Sequence, residues 1–562
     1  MLTLVKSRGT LKHASLIGCL IVCASLCSAQ NSYVLTNVGH LPGTTTSGEA
    51  WSAIAGLSAS GRAVGAGSLF DTGTTNFGLR PFRFSNGVLT QLPIIGTNPA
   101  NGSANGVAYG INGQNIVVGY SDQWVGSIKY DSTAVTWDAN DVLTILGGHY
   151  EINAGQGKSA AGARAINETG TVTGWARRDF ATTGQSGDTA AIWVNGSISE
   201  LEQLYLSNGV LSKSIGRDIN SQGVVSGSTA AYDANSIAIG DRPVFWDGDG
   251  AHELPTYSTR ANGYSDGEAV ALNDAGWIVG NAFWENAAGT SGGNRPTLWI
   301  NGVATDLGTI GGEADFQSGI GNDVNSDGYI VGQSSVQDPG GAFLYRTGFL
   351  YHSSFGMVEF NTLIDPSTVG NWDIETVTGI DDLGRIYGYG QFEVTSGNWQ
   401  QRGFVAMPVQ EALPDSFSIV RGFLNGGGLS DLFASDDLRL DIRAGLTLFL
   451  GEPPLQVVVV GTSPVQVPSE LRFKLEASVN TPGLTQSIQL FNYVTSLYEE
   501  VDLSVPGSSD TSVEIVVTTN PGRYVQAGTR EIRAKVVYQK VGFTLLWPWS
   551  ARLDQAVWKV VP

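Results

Sequence analysis

The stretch from Ile166 to Gly174, Ile-Asn-Glu-Thr-Gly-Thr-Val-Thr-Gly, sets an Asn and a Gly three residues apart between short runs of strand-forming residues. An Asx side chain folds back onto the backbone two residues on, and Gly takes positive φ without steric cost. The stretch therefore reads as a β-hairpin turn. The pattern, aliphatic, usually Asn, two turn residues, Gly, variable, aliphatic, variable, Gly, occurs six more times. It reads LSASGRAVG from Leu57, INGQNIVVG from Ile111, INSQGVVSG from Ile219, LNDAGWIVG from Leu272, VNSDGYIVG from Val324 and IDDLGRIYG from Ile380. The central residues, Gly61, Asn115, Gly170, Gly223, Gly276, Gly328 and Gly384, lie 54, 55, 53, 53, 52 and 56 residues apart. Asn115 is the one departure from Gly, and Asn best tolerates the left-handed region after Gly.

Working outward, alternate positions before each hairpin are mostly small, with Ala53 followed in later copies by Ala108, Ala163, Gly216, Ala269 and Gly321. Small side chains let inner strands crowd together. After each hairpin comes a loop, then a strand ending in an aromatic in most copies, at Phe84, Trp137, Trp193, Trp246, Trp299 and Tyr345. A short turn and a fourth strand follow, as in GVLTQL ending at Leu92. Four short antiparallel strands per copy, seven times, predict an all-β chain whose residues 30–412 form a seven-bladed β-propeller. The seventh copy stops after its third strand, GFVAM from Gly403, while Tyr33 to Leu41 reads as an unattached strand. Pairing that strand into the last blade closes the ring and removes an open sheet edge. A solenoid leaves it unexplained.

The unit, with hairpins such as INETGTVTG and strands such as AFLY followed by a turn and a leucine-terminated strand, resembles the HAF-type bacterial extracellular repeat family. Phe, Trp or Leu stands here in place of the name-giving His-Ala-Phe. The resemblance spans residues 30 to about 408. It implies export and a repeat domain, with no general catalytic residues to carry over.

From Leu413 the period vanishes, and strand-like segments continue without Gly-rich hairpins, among them Leu455 to Val460, Leu471 to Val479 and Ile532 to Tyr538. Leu471 to Ala477 alternates apolar and polar, the mark of a strand with one buried face. Residues 413–562 are predicted to form a β-sandwich. SELRFKLEASV, LFNYVT and AGTREIRAKVVYQ look like a domain that recurs at the C-termini of exported environmental bacterial proteins, a resemblance that implies no activity.

Composition narrows the function. With 74 Gly in 562 residues and 15% charged residues, helical bundles are excluded. Residues 1–29, with Lys6, Arg8 and Lys12 before an apolar run and Cys27-Ser28-Ala29 at its end, read as a secretory signal peptide. It holds all three cysteines, so the processed chain has no disulfide or thiol chemistry. That chain carries 28 basic residues against 51 acidic ones. Such a surface repels phosphate, so neither nucleic acid nor an anionic membrane is an expected partner. No later apolar run approaches the ~20 residues of a membrane span. The expected location is secreted, extracellular or at a bacterial cell surface.

No cofactor or metal is expected. His40, His149, His252 and His352 lie in different copies without ligand spacing. Asp323 to Gly328 matches the first half of a calcium loop, but the twelfth position is Ser334 rather than Glu, so it reads as one more hairpin turn.

Positions that break the repeat mark candidate sites. Asp218 and Asp323 stand where other copies carry Gly or Ala, and Arg164 and Arg217 stand one position earlier in adjacent copies. A structural Arg–Asp network is the plain reading, and a polar ligand site near the channel the functional one. Trp124, Trp175, Trp284 and Trp399 fall in segments read as long loops at one face, where aromatics stack on sugars or anchor proteins. The expected function is non-enzymatic binding of a glycan or a cell-surface protein through that face. The alternatives are a carbohydrate-active hydrolase or lyase using Asp218 and Asp323, and a structural surface-layer component.

Overall fold

A computed structural model of the chain describes residues 32–41, 50–71, 75–125, 128–147, 160–180, 185–205, 213–286, 289, 292–311, 318–338, 342–446, 451–540 and 549–562. Residues 1–29, read above as a signal peptide, and His149 lie outside the described residues. The described regular structure is β-strand, with three short 3₁₀ turns. No helix among the described residues is long and apolar enough to cross a membrane. The chain divides into two compact units, Leu35–Ala406 and Met407–Pro562, the second also taking in residues 32–34.

Seven four-stranded antiparallel sheets make up the strands of the first unit. In the first sheet, Ser52–Leu57, Ala63–Phe70, Asn76–Ser85 and Val88–Gln91 pair in sequence order. The first strands of the other sheets are Gly106–Ile111, Ala161–Ile166, Ser214–Ile219, Gly267–Leu272, Ser318–Val324 and Trp372–Ile380. Each first strand packs against that of the next sheet, and the seventh packs against the first, so they run in a closed circuit. In the seventh sheet, Tyr33–Asn37 lies outside Asn398–Pro408, and Val38 N–H donates to Gly403 O at 3.1 Å.

The motif Asn both builds its own turn and reaches the next one. Asn273 Oδ1 accepts from the N–H groups of Ala275 and Trp277, both at 3.0 Å, while its Nδ2 donates to Asn325 O at 3.0 Å. The same donation runs from Asn112 to Asn167 O, Asn167 to Asn220 O, Asn220 to Asn273 O and Asn325 to Asp381 O. Asp381 cannot donate. Arg385, ion-paired with Asp381, donates instead to Ser58 O at 2.9 Å, and Ser58 Oγ donates to Asn115 Oδ1 at 3.3 Å. A relay of side-chain hydrogen bonds thus circles all seven turns.

A second tie holds four of the copies to the connection before them. The indoles of Trp137, Trp246 and Trp299 donate at 2.8 Å to carbonyls of the preceding connection, Pro93, Glu202 and Pro255, and Trp193 does so to Gly147. In the sixth copy the equivalent aromatic is Tyr351, paired with Ile330 as Trp299 is with Ile278, and not Tyr345. Tyr345 lies earlier in the same strand, 45% exposed.

The second unit has two antiparallel sheets. One contains Phe423–Gly426, Leu440–Arg443, Ser550–Val561, Glu470–Val479 and Thr511–Val517, with Gln410–Ala412 paired to Ser550–Val561. The other contains Pro414–Arg421, Leu455–Thr462, Glu531–Lys540, Leu484–Asn492 and Leu497–Ser504. Both feed one apolar core, in which Phe473 and Trp558 meet with ring centroids 5.1 Å apart.

Candidate functional site

The closing Gly of the nine-residue motif shapes the centre of the first unit. A Cβ on Gly65, Gly119, Gly174, Gly227, Gly280, Gly332 or Gly388 would sit well under 3.0 Å from a carbonyl oxygen of the paired first strand. The carbonyl comes so near because that strand carries a β-bulge opposite, as where the pairing steps from Gly216 to Asp218 and skips Arg217. Bulges re-aim side chains. The skipped residues Ala55, Tyr109, Arg164, Arg217, Val270, Asn322 and Thr378 all line one central cavity of about 480 Å³.

Arg164, Arg217, Asp218 and Asp323 therefore share this cavity, but the arginines do not pair with the aspartates. The Arg217 guanidinium meets Glu268, and that of Arg164 stacks over Tyr109, 4.1 Å from the ring centroid. Burial holds the Arg164 guanidinium below its ordinary value, against the pull of Tyr109, and the neighbouring Arg217 adds to the fall. Asp218 accepts from its neighbour Ile219 N–H at 2.8 Å and, across sheets, from Leu272 N–H at 3.0 Å. Asp323 repeats this with Val324 at 2.8 Å and Ile380 at 2.9 Å. Burial pushes the Asp323 carboxyl up to about 7, and the nearby Asp218 adds to the rise. Both aspartates pin one sheet to the next, with both oxygens of each carboxylate engaged.

A second cavity, about 340 Å³, meets the first at Arg217. It is lined where the first strands of the fourth and fifth sheets begin, at Ser214 and Gly267, and by Trp175, Asp188, Lys213, Asp241, Asp266, Glu268 and Asn281. The hairpin turns lie at the other ends of those strands, so this pocket opens at the end that carries the longer connections. Asp266 is engaged by Asp241 N–H and Asn294 Nδ2. Asn281 is 8% exposed, and its Oδ1 is buried with no hydrogen-bond partner among the described residues. Burial pushes the Asp241 carboxyl up, against the pull of Lys213, and Asp266 adds to the rise.

Trp175 lies within the strand Val172–Phe180, opposite Gly162, rather than in a loop. A Cβ on Gly162 would come 2.8 Å from the indole Nε1, so the glycine makes room for the ring. The other tryptophans line neither cavity. Trp124 is half-buried near the end of Val117–Val125, its Nε1 unpartnered among the described residues. Arg295 covers the ring of Trp284 at 4.7 Å, and Trp399 is 43% exposed near the start of Asn398–Pro408.

Trp175 and Asn281 occupy one repeat position, directly after the closing Gly, held in other copies by Ala66, Tyr120, Ser228, Gln333 and Tyr389. Ser228 joins them in the smaller cavity, and Gln333 and Tyr389 line the central one. A freely varying residue beside an invariant one is the sequence signal that would have found them.

No family model and no curated protein matches the chain. Among solved structures, it is similar to the sialidase of Trypanosoma rangeli in complex with a difluorinated ligand, at 10% identity, over 94% of this chain and 95% of that one, with a TM-score of 0.31. It is also similar to an exo-β-1,3-galactanase from Phanerochaete chrysosporium, at 9% identity, over 75% and 99%, with a TM-score of 0.22. At TM-scores of this size the likenesses carry no function over to this chain.

Proposed function

We propose that the seven sheets are the blades of a seven-bladed β-propeller, the two larger sheets a β-sandwich, and the chain a secreted or cell-surface bacterial protein of the HAF-repeat type that binds neutral glycans. The closed circuit of first strands and the outer position of Tyr33–Asn37 support the ring. The observation that carries the binding site is the 340 Å³ pocket, which combines the Trp175 indole with convergent polar groups and an unpartnered Asn281 Oδ1. Its size falls in the range of small-ligand sites, about 300–1,000 Å³, and an aromatic beside fixed donors and acceptors suits a sugar ring. Asp188, Asp241, Asp266 and Glu268 outnumber Lys213 and Arg217, which favours a neutral sugar over an acidic one.

A glycan array followed by calorimetry tests this. Trp175→Ala and Asp241→Asn are each expected to weaken binding by about tenfold or more, as loss of a central contact does, while Trp399→Ala leaves it unchanged. Absence of any bound glycan, or equal loss from Trp399→Ala, defeats the reading.

The raised Asp241 carboxyl favours a second reading, glycoside hydrolysis. Asp241, its carboxyl raised by burial, and Glu268, which Arg217 pairs, line the same cavity and are the two acidic groups this reading would use. Asp218 and Asp323 suit that role less, because backbone N–H groups engage both carboxylates. Reducing-sugar release that disappears in Asp241→Asn would favour hydrolysis, and binding without release favours recognition alone.

A further inference from the structure

The second unit holds an arrangement that the pocket of the first does not explain. Asp437, Asp510 and Asp554 each present a carboxylate oxygen, and these oxygens lie within 4.8 Å of one another. They come from three separate segments: the turn before Leu440–Arg443, the residue before Thr511–Val517, and the strand Ser550–Val561.

Asp554 is the residue that makes the cluster more than a patch of acidic side chains. It is 2% exposed, in the sheet interior. The pairing of its strand with Glu470–Val479 steps from Glu476 opposite Gln555 to Ala477 opposite Leu553, so Asp554 sits unmatched on a bulge that aims its side chain at the other two. Backbone N–H groups of Asp436 and Asp437 donate to this carboxylate. Its Oδ1 is nonetheless buried with no hydrogen-bond partner among the described residues, and so is Oδ1 of Asp510. Buried carboxylate oxygens without donors are costly unless a cation takes them.

One cation is already there. Arg439 Nη2 forms ion pairs with Asp437 and Asp510, while Asp554 acts on it only through its charge. One guanidinium against three carboxylates leaves two negative charges, the complement of a divalent ion.

We propose that Asp437, Asp510 and Asp554 form a calcium site in the second unit. Oxygen-only donors suit a hard cation. Calcium accepts several carboxylates in a flexible shell at about 2.3–2.6 Å, whereas magnesium demands a near-ideal octahedron at about 2.0–2.1 Å and usually keeps several waters, so a set of three aspartates from separate segments suits calcium better. With Arg439 competing for two of the ligands, affinity falls in the range of extracellular calcium modules, a Kd of about 10⁻⁴–10⁻³ M.

The test uses the full chain stripped with a chelator, titrated with calcium chloride by calorimetry and melted in about 10 mM calcium or magnesium chloride. We expect saturable calcium binding and a rise of roughly 5–10 °C in the second unit's melting transition, with a smaller response to magnesium. Asp554→Asn keeps the shape of the side chain and is expected to abolish both. If that variant does not fold, Asp437→Asn, whose side chain is 83% exposed, is the second probe and should weaken binding at least tenfold. No calcium binding to the unaltered chain, binding that survives both substitutions, or an equal response to magnesium would each overturn the assignment, the first by showing that Arg439 alone answers the three carboxylates.

Discussion

The two units answer the same problem, covering both faces of antiparallel sheets, in opposite ways. In the second unit two sheets share a single large apolar core, with Trp558, Phe473 and Tyr538 fully buried. In the first, interfaces between neighbouring sheets have small clusters of their own, such as Val118, Ala163, Val172 and Trp193 between the second and third. Thin interfaces are supplemented by directional ties: the Asn relay, the indole donors, and arginines such as Arg242, whose Nη2 donates to Gly263 O at 2.8 Å. A large core tolerates loss of one contact by repacking around it. A ring of small interfaces depends on each repeated device, because its neighbours have no spare apolar surface to offer.

The sharpest break of this contrast is Gly280→Ala, whose Cβ would collide with Glu268 O. It should destabilise the first unit by more than about 5 kcal/mol in chemical denaturation. Gly426→Ala in the second unit, where a Cβ meets nothing within 4 Å, should cost less than about 0.5 kcal/mol. Deleting residues 35–41 should come next, at about 4 kcal/mol, since it removes the buried Leu35, Val38 and Leu41 and bares the edge of the seventh sheet. Only the first of two melting transitions should move; an unchanged transition would mean that the ring does not need this strand.

Acidity offers the third test. The Asp323 carboxyl titrates near about 3.9 in the unfolded chain and near 7 in the fold. Between those values the folded state holds a proton that the unfolded one has lost. The stability contributed is full below about pH 4 and disappears as the pH rises through 7. Denaturation at pH 4.5 and 7.5 should differ by about 3 kcal/mol from this group, and Asp323→Asn should flatten the difference. Asn273→Ala, which strips two N–H groups and one carbonyl of their partner, should cost about 2 kcal/mol. Smallest of all, Trp399→Ala should change stability by less than about 0.5 kcal/mol, its side chain being exposed at the start of its strand.

The legibility of the two units differs for the same reason. Turn chemistry resets every copy, so Asn and Gly at fixed spacing disclose the four-stranded unit and even the outlying Tyr33–Asn37 strand. Where two phrases look alike the reading slips: AFLY and GFLY both fit the third strand of the sixth copy, and only the 23-residue count from Gly328 selects Tyr351. Trp175 was assigned to a loop because nothing in the sequence says that Val172–Phe180 continues past the motif. The bulges at Arg164 and Arg217 are invisible too, since a bulge leaves its mark on the partner strand, as an obligatory Gly. In the second unit the buried strands Glu470–Val479 and Glu531–Lys540 declare themselves by apolar pattern. Pro414–Arg421 and Leu497–Ser504 do not, because much of their surface faces solvent and few of their positions must be apolar.

The side-chain relay also has an evolutionary consequence. Its links are directional and alike across the interior copies, each handing an Asn amide to the next turn, so one interior copy could be duplicated or exchanged without rewriting its neighbours. The junction of Arg385 with Ser58 is different, since an Arg guanidinium replaces the Asn amide as the donor to the same backbone carbonyl of the turn. That junction is a seam. Gain or loss of a module can leave it untouched, while any lineage that moved the chain ends elsewhere in the circle would have to invent a second one.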